Sequence, residues 1–87
     1  MKNPEYMVDS ISSKNDFSIF LSALANDFKK NQHKWENKNL ADYFEAISMF
    51  VEVFDSYCKN NKIPEIVIEP QHWRAFADIL MAGKVYE

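Results

Sequence analysis

The chain has 87 residues, a formal net charge of −3 and one cysteine, enough for one small domain, since domains typically run to roughly 100–150 residues. Seven Phe, four Tyr and two Trp in a chain that is 47% hydrophobic exclude disorder, which goes with few aromatics and little apolar bulk. One glycine and three prolines exclude the turn-rich all-β folds, and the lone cysteine excludes a disulfide framework or a Cys-rich zinc module. The expectation is therefore a mainly all-α fold: one compact three-helix domain over residues 1–87, with a short extended segment between helices two and three.

Residues 1–12 carry Tyr6, Met7, Val8 and Ile11 without a sustained period, and read as an extended or irregular N-terminal arm whose hydrophobes dock on the core. Ser13-Lys14-Asn15-Asp16 then has the spacing of a capping box. Phe17, Phe20, Leu21, Leu24 and Phe28 follow at i, i+3, i+4, i+7 and i+11, one face of a helix over about 14–31. Lys29 and Lys30 near its end suit the helix dipole.

The polar linker 31–39 holds Trp35 and two possible caps, Asn37 and Asn39. From Leu40 the apolar positions Tyr43, Phe44, Ile47, Phe50, Val51, Phe54 and Tyr57 or Cys58 cover an arc of about 140°. Ala46, Met49 and Val53 widen it, so a helix over about 40–59 is predicted to be central, with neighbours on two sides. Lys59 to Lys62 stop it, and the β-branched, proline-interrupted stretch 63–68 reads as the extended connector. Pro70 opens a third helix, Trp73, Phe76, Ala77, Leu80 and Met81 give its stripe, and Gly83 is placed to end it near residue 82 as a left-handed cap. The alternative is continuation through Val85 and Tyr86.

Ten cations, of which Arg74 is the only arginine, stand against 13 acids. Nucleic-acid binding needs clustered cations to displace counterions from phosphate, so no nucleic-acid partner is expected. No run approaches roughly 18 apolar residues, so no membrane span is expected, and no signal peptide is legible. The expected compartment is cytoplasmic. The charge is uneven: residues 39–58 carry Asp42, Glu45, Glu52 and Asp55 with no cation, and residues 14–38 carry five Lys against three acids. An all-acid helix stripe serves either plain solubility or the steering of a basic partner.

No catalytic machinery is legible. Cys58 falls in the last turn of helix two, where the dipole opposes a thiolate, and reads as a structural thiol. His33 and His72 form no metal-ligand spacing, so neither metal nor cofactor is expected. Glu45 and Glu52 lie about 10 Å apart along the helix axis on an exposed stripe, which suits neither partner of an acid–base pair. A small hydrolase would need a pocket gathering His33 or His72 with Glu36 or Asp78. Trp35, in a polar linker, either folds back over the core or projects as an anchor for a partner.

At Trp35-Glu36-Asn37, then Leu40, Tyr43 and Glu45-Ala46, the sequence resembles a family of small uncharacterised bacterial proteins, a domain of unknown function. The pattern continues as Trp73-Arg74, Phe76-Ala77, Leu80, Ala82 and Val85-Tyr86-Glu87, and the resemblance covers about residues 13–87. It implies that Trp35, Glu36, Asn37 and Trp73 form a structural set piece, with Asn37 or Glu36 capping a helix, and it supplies no catalytic residue. In that pattern the place of Gly83 is usually taken by Ala.

The functional expectation is a non-enzymatic protein-binding domain. Most concretely, it is an immunity- or antitoxin-like neutraliser that sets Asp42, Glu45, Met49, Glu52 and Asp55, with Trp35, against a basic partner such as a toxin. The alternative is a structural or regulatory homodimer that hides aromatic surface between subunits.

Overall fold

The computed structural model describes residues 3–62 and 69–86. Helices account for 78% of them, and no strand occurs among them. Five α-helices follow in order: α1 Pro4–Met7, α2 Lys14–Lys30, α3 Leu40–Glu52, α4 Phe54–Asn60 and α5 Pro70–Gly83. Short 3-10 turns at Val8–Ser10 and Gln32–Lys34 follow α1 and α2. The expected extended connector, 63–68, lies outside the described residues. Two contact units divide the chain, Met1–Met49 and Phe50–Glu87, and the boundary falls within α3.

In the first unit, the arm is helical where an irregular lead-in was expected. Asn3 Oδ1 accepts the Glu5 N–H at 3.0 Å and Pro4 takes the first helical position, so Asn-Pro-Glu is a complete helix start. The α2 start follows the predicted cap with one change. Ser13 Oγ accepts the Asp16 N–H at 3.0 Å, but Asp16 returns its bond to Ser12, taking the backbone N–H at 3.0 Å and the hydroxyl at 3.2 Å. The Ser12 N–H, with the Ser13 cap behind it, holds the Asp16 carboxyl below its ordinary range.

Burial on α2 is rotated from the predicted stripe. Phe17, Phe20, Leu24 and Phe28 are half-buried, but Leu21 is exposed and Ala23 is buried in its place. The inward side runs through Ala23 and Asp27 because the arm packs there: α1 and α2 are in contact, and Pro4 is the arm's buried residue. Asn39, not Asn37 or Glu36, caps α3, its Oδ1 taking the Asp42 N–H at 2.9 Å while its Nδ2 donates to Asp42 Oδ2 at 2.8 Å. That choice follows from register, since Leu40 is the first helical residue.

The single helix expected over 40–59 is broken at Val53, whose φ of −110° and ψ of 13° leave the helical region. Its N–H turns back to the Phe50 carbonyl at 3.0 Å, and Tyr57 restarts the ladder on the Val53 carbonyl at 3.0 Å. Val51 and Val53 are β-branched and lose side-chain freedom in a helix, so interruption costs least there. In the second unit Phe50, Phe54 and Tyr57 form an aromatic cluster, with Phe50 edge-on to both neighbours at centroid distances of 6.2 and 5.1 Å. Cys58 is buried, while Phe50, Val51 and Tyr57 of the predicted core stripe are exposed, as are Leu40 and Phe44 in the first unit.

Every described residue of α5 is exposed, including the Trp73, Phe76, Leu80 and Met81 expected in a shared core. At its start the Glu69 N–H donates to His72 Nδ1 at 3.2 Å. Its end does not use the expected left-handed glycine. Gly83 has no positive φ, and Lys84 keeps right-handed values while donating to the Met81 carbonyl at 3.1 Å. Val85 and Tyr86 both donate to the Ala82 carbonyl, so right-handed turns already satisfy the last carbonyls.

The left-handed position falls instead at Lys62, with φ of 55°, just past α4. A side chain there costs strain that glycine avoids. Lys62→Gly is expected to raise stability by about 0.5–1 kcal/mol in urea unfolding; a lower midpoint would show that the lysine side chain contributes something the backbone does not.

Candidate functional site

The most organised side-chain group is built around Asp27, in the last turn of α2. An acid near a helix carboxyl end opposes the dipole and calls for a specific partner. Asp27 has two: Trp35 Nε1 donates to Oδ2 and Asn31 Nδ2 donates to Oδ1, both at 2.9 Å. The Trp35 bond, then the Asn31 bond, with the nearby Lys34 charge adding to them, holds the Asp27 carboxyl below its ordinary range. The 3-10 turn at Gln32–Lys34 brings the indole back over the helix, and the Trp35 backbone N–H donates to the Gln32 carbonyl at 3.0 Å. Trp35 meets Phe28 edge-on at 5.2 Å and Tyr43 at 5.7 Å.

Because folding lowers the Asp27 pKa, the carboxylate contributes stability above its unfolded value of about 3.8, and that contribution is lost as pH falls through the folded value. Titrating the protein from neutral pH down through the lowered Asp27 value, below 3.8, is therefore expected to release the indole. The Trp35 Nε1–H resonance should shift with the Asp27 carboxyl, and Trp35→Phe should move that carboxyl back toward its ordinary value. An indole resonance indifferent to pH over this range would contradict the assignment.

Beside this group lies an open-mouthed cavity of about 650 Å³. One wall comes from α2 and the following turn, chiefly Phe20, Ala23, Leu24, Asp27 and Trp35; the other comes from the arm, through Asn3, Pro4, Glu5 and Val8. The volume is that of a ligand pocket, and the lining mixes apolar walls with a few polar groups, Lys30 and Lys34 among them. His33 and Glu36 are not part of the lining.

The predicted partner-binding residues fall elsewhere. Asp42, Glu45 and Met49 are exposed on α3 in the first unit, Met49 at 66%. Glu52 is the last residue of α3, and Asp55 lies beyond the break at Val53, in the first turn of α4; both are exposed and belong to the second unit. The break therefore removes Asp55 from the helix that carries the other three acids. Asp42 is occupied in the Asn39 cap. Among the described residues Glu45, Glu52 and Asp55 take part in no ion pair; the pair that occurs is Arg74 with Asp78 at 3.9 Å, on exposed α5.

Within the set piece, Trp35 is half-buried in the first unit, Glu36 is exposed and Asn37 half-buried. Trp73 meets Phe76 edge-on at 5.9 Å within α5. No group of three or more His, Cys, Asp or Glu gathers to hold a metal among the described residues, and no described helix is long and apolar enough to cross a membrane. Sequence reasoning missed Asp27 and the arm's wall of the cavity. The signals were present: an acid one turn from a helix end, and Asn-Pro-Glu at residues 3–5.

No curated protein and no solved structure matches the chain. The model of a family of unknown function, DUF7660, matches residues 13–87. The chain belongs to that family.

Proposed function

We propose that this DUF7660 member is a non-enzymatic protein-binding domain that sets the acidic side of α3 against a basic protein surface, in the manner of an immunity protein or antitoxin acting in the cytoplasm. The observation that carries the reading is that Glu45 and Glu52 are exposed on one helix with no cation paired to them among the described residues, beside a Met49 that is 66% exposed. Unpaired acids keep their field available for steering, and a flexible methionine adds adaptable apolar contact. Inhibition would be by occlusion: carboxylates occupy the positive surface where a basic toxin, such as a nuclease, would hold phosphate. Such a domain needs no cofactor.

The test is a photo-cross-linking residue in place of Met49, introduced in the source cell. A basic protein is expected as the cross-linked species, lost when Glu45→Lys and Glu52→Lys are combined. Cross-linking to a second copy alone, or to a partner indifferent to the reversal, would count against the reading.

A second reading, a homodimer, is favoured by one different observation: α5 leaves Trp73 39%, Phe76 43%, Leu80 53% and Met81 65% exposed along its apolar side. Sedimentation at micromolar and nanomolar concentrations separates the two, since only the homodimer gives a mass that depends on concentration without a partner.

A further inference from the structure

The gap between α3 and α4 has no covalent cause. Sharp helix breaks fall at proline, at glycine or where a group inserts into the hydrogen-bond ladder, and the stretch from Met49 to Tyr57 holds neither proline nor glycine. One residue, Val53, leaves the helical region. On either side of it Phe50, Phe54 and Tyr57 stand at i, i+4 and i+7, the spacing of one side of an unbroken helix. Their rings keep that contact across the gap, Phe50 with both partners and Phe54 with Tyr57 at 6.3 Å. Among the described residues, no backbone bond runs from the N–H of Phe54, Asp55 or Ser56 to the carbonyl of Phe50, Val51 or Glu52, four residues back. Val53 supplies no side-chain cap in their place. An open helix end and an uncapped helix start therefore sit in register, and turning Val53 from φ −110°, ψ 13° to about −63°, −42° would join them.

We infer that the gap at Val53 is a conformational switch: open in the free chain, it closes into one helix over residues 40–60 when a cationic segment of a partner lies along Glu52 and Asp55. Two local terms oppose closure. Val53 is β-branched and loses side-chain freedom in a helix. Closure also sets Glu52 and Asp55, both exposed, three residues apart on one helix, where like charges repel. Each term is small, so a modest gain reverses the balance. A cationic segment supplies that gain, because it turns the paired acids from a cost into a joint binding feature of the closed form. Binding one form better than the other is what a ligand needs to shift an equilibrium. The trigger rests on the reading of the acidic side of α3 as the docking surface, and the switch adds that this surface is completed on binding.

The test uses the full chain at low salt, with octalysine as the cationic segment and the Cα chemical shift of Val53 as the reporter of closure. As octalysine saturates the native chain, that shift is expected to move into the helical range. Asp55→Asn removes the repulsion and should move it the same way with no peptide present. Val53→Ala favours a helix and Val53→Gly opposes it, so the alanine variant should bind octalysine at least threefold more tightly, about the ratio of their closed fractions. A Val53 shift that stays at its free value in the saturated chain or in Asp55→Asn, or equal binding by the two Val53 variants, would overturn the switch. Octalysine would still bind in those cases, and the acidic-side reading would stand. No binding of octalysine by any of these chains would overturn both.

Discussion

Replacing Trp35 by alanine is expected to lower the stability of the protein by about 2–3 kcal/mol, measured by urea unfolding. Large-to-small changes at fully buried aromatic sites cost about 3–5 kcal/mol; Trp35 is half-buried, so part of that range applies. The loss has three sources. The edge-on contact with Phe28 at 5.2 Å disappears, as does the Tyr43 contact at 5.7 Å. Asp27 also loses the Nε1–H donor that stabilises its charge, with Asn31 left as its remaining side-chain donor. Trp35→Phe separates these terms, because it keeps an aromatic ring between Phe28 and Tyr43 and removes only the donor. Its cost should therefore be clearly smaller than that of alanine. A Trp35 that served mainly as an anchor for a partner would behave differently: alanine would leave the unfolding midpoint nearly unchanged and weaken binding instead.

The second large effect is on association. Reversing Glu45 and Glu52 together changes the local charge by four, and bringing like charges against a basic surface costs several kcal/mol. A loss of roughly 100-fold in partner affinity, about 2.7 kcal/mol, is expected. The association rate should fall most at low salt, since steering is screened beyond about 10 Å at 0.1 M. Both glutamates are exposed and neither is in an ion pair among the described residues, so the folded state should be unaffected by circular dichroism and unfolding midpoint. Asp42 is left native for the contrary reason, because it closes the Asn39 cap at the start of α3. An affinity within threefold of the native chain would remove the acidic side of α3 as the docking surface.

Much of the local structure was legible before any coordinates. Helical spacing from Phe17 to Phe28 and Ser13 at the cap located α2 to within a residue, and Pro70 marked the first residue of α5. These signals are local: a cap or an N1 proline acts on its own turn, and no distant residue is needed to read it. The break at Val53 was harder to see, because a pattern that keeps its apolar phase through Phe54 and Cys58 hides a one-residue interruption of the backbone. Gly83 misled for a related reason. A glycine permits a left-handed cap but does not require one, and the φ of 55° went to Lys62.

The candidate sites divide along the same line. That Asp42, Glu45, Met49 and Glu52 share a side of one helix follows from their spacing alone. The Asp27–Trp35 pair does not, since it joins residues eight apart through a reversal at Gln32–Lys34 that no periodicity announces.

By itself the sequence determined the helical class, the starts of α2, α3 and α5 and the uneven charge, because each depends on composition or on neighbours within four residues. Only the tertiary structure decided which side of α2 turns inward. The stripe of Phe17, Leu21 and Phe28 pointed one way, yet the arm and the returning indole bury the side that carries Ala23 and Asp27. That choice depends on contacts between residues far apart in the chain, whose balance of apolar burial and hydrogen bonding exists only once the segments meet. It also converts an acid that looked like one more soluble charge into the centre of the first unit's polar network.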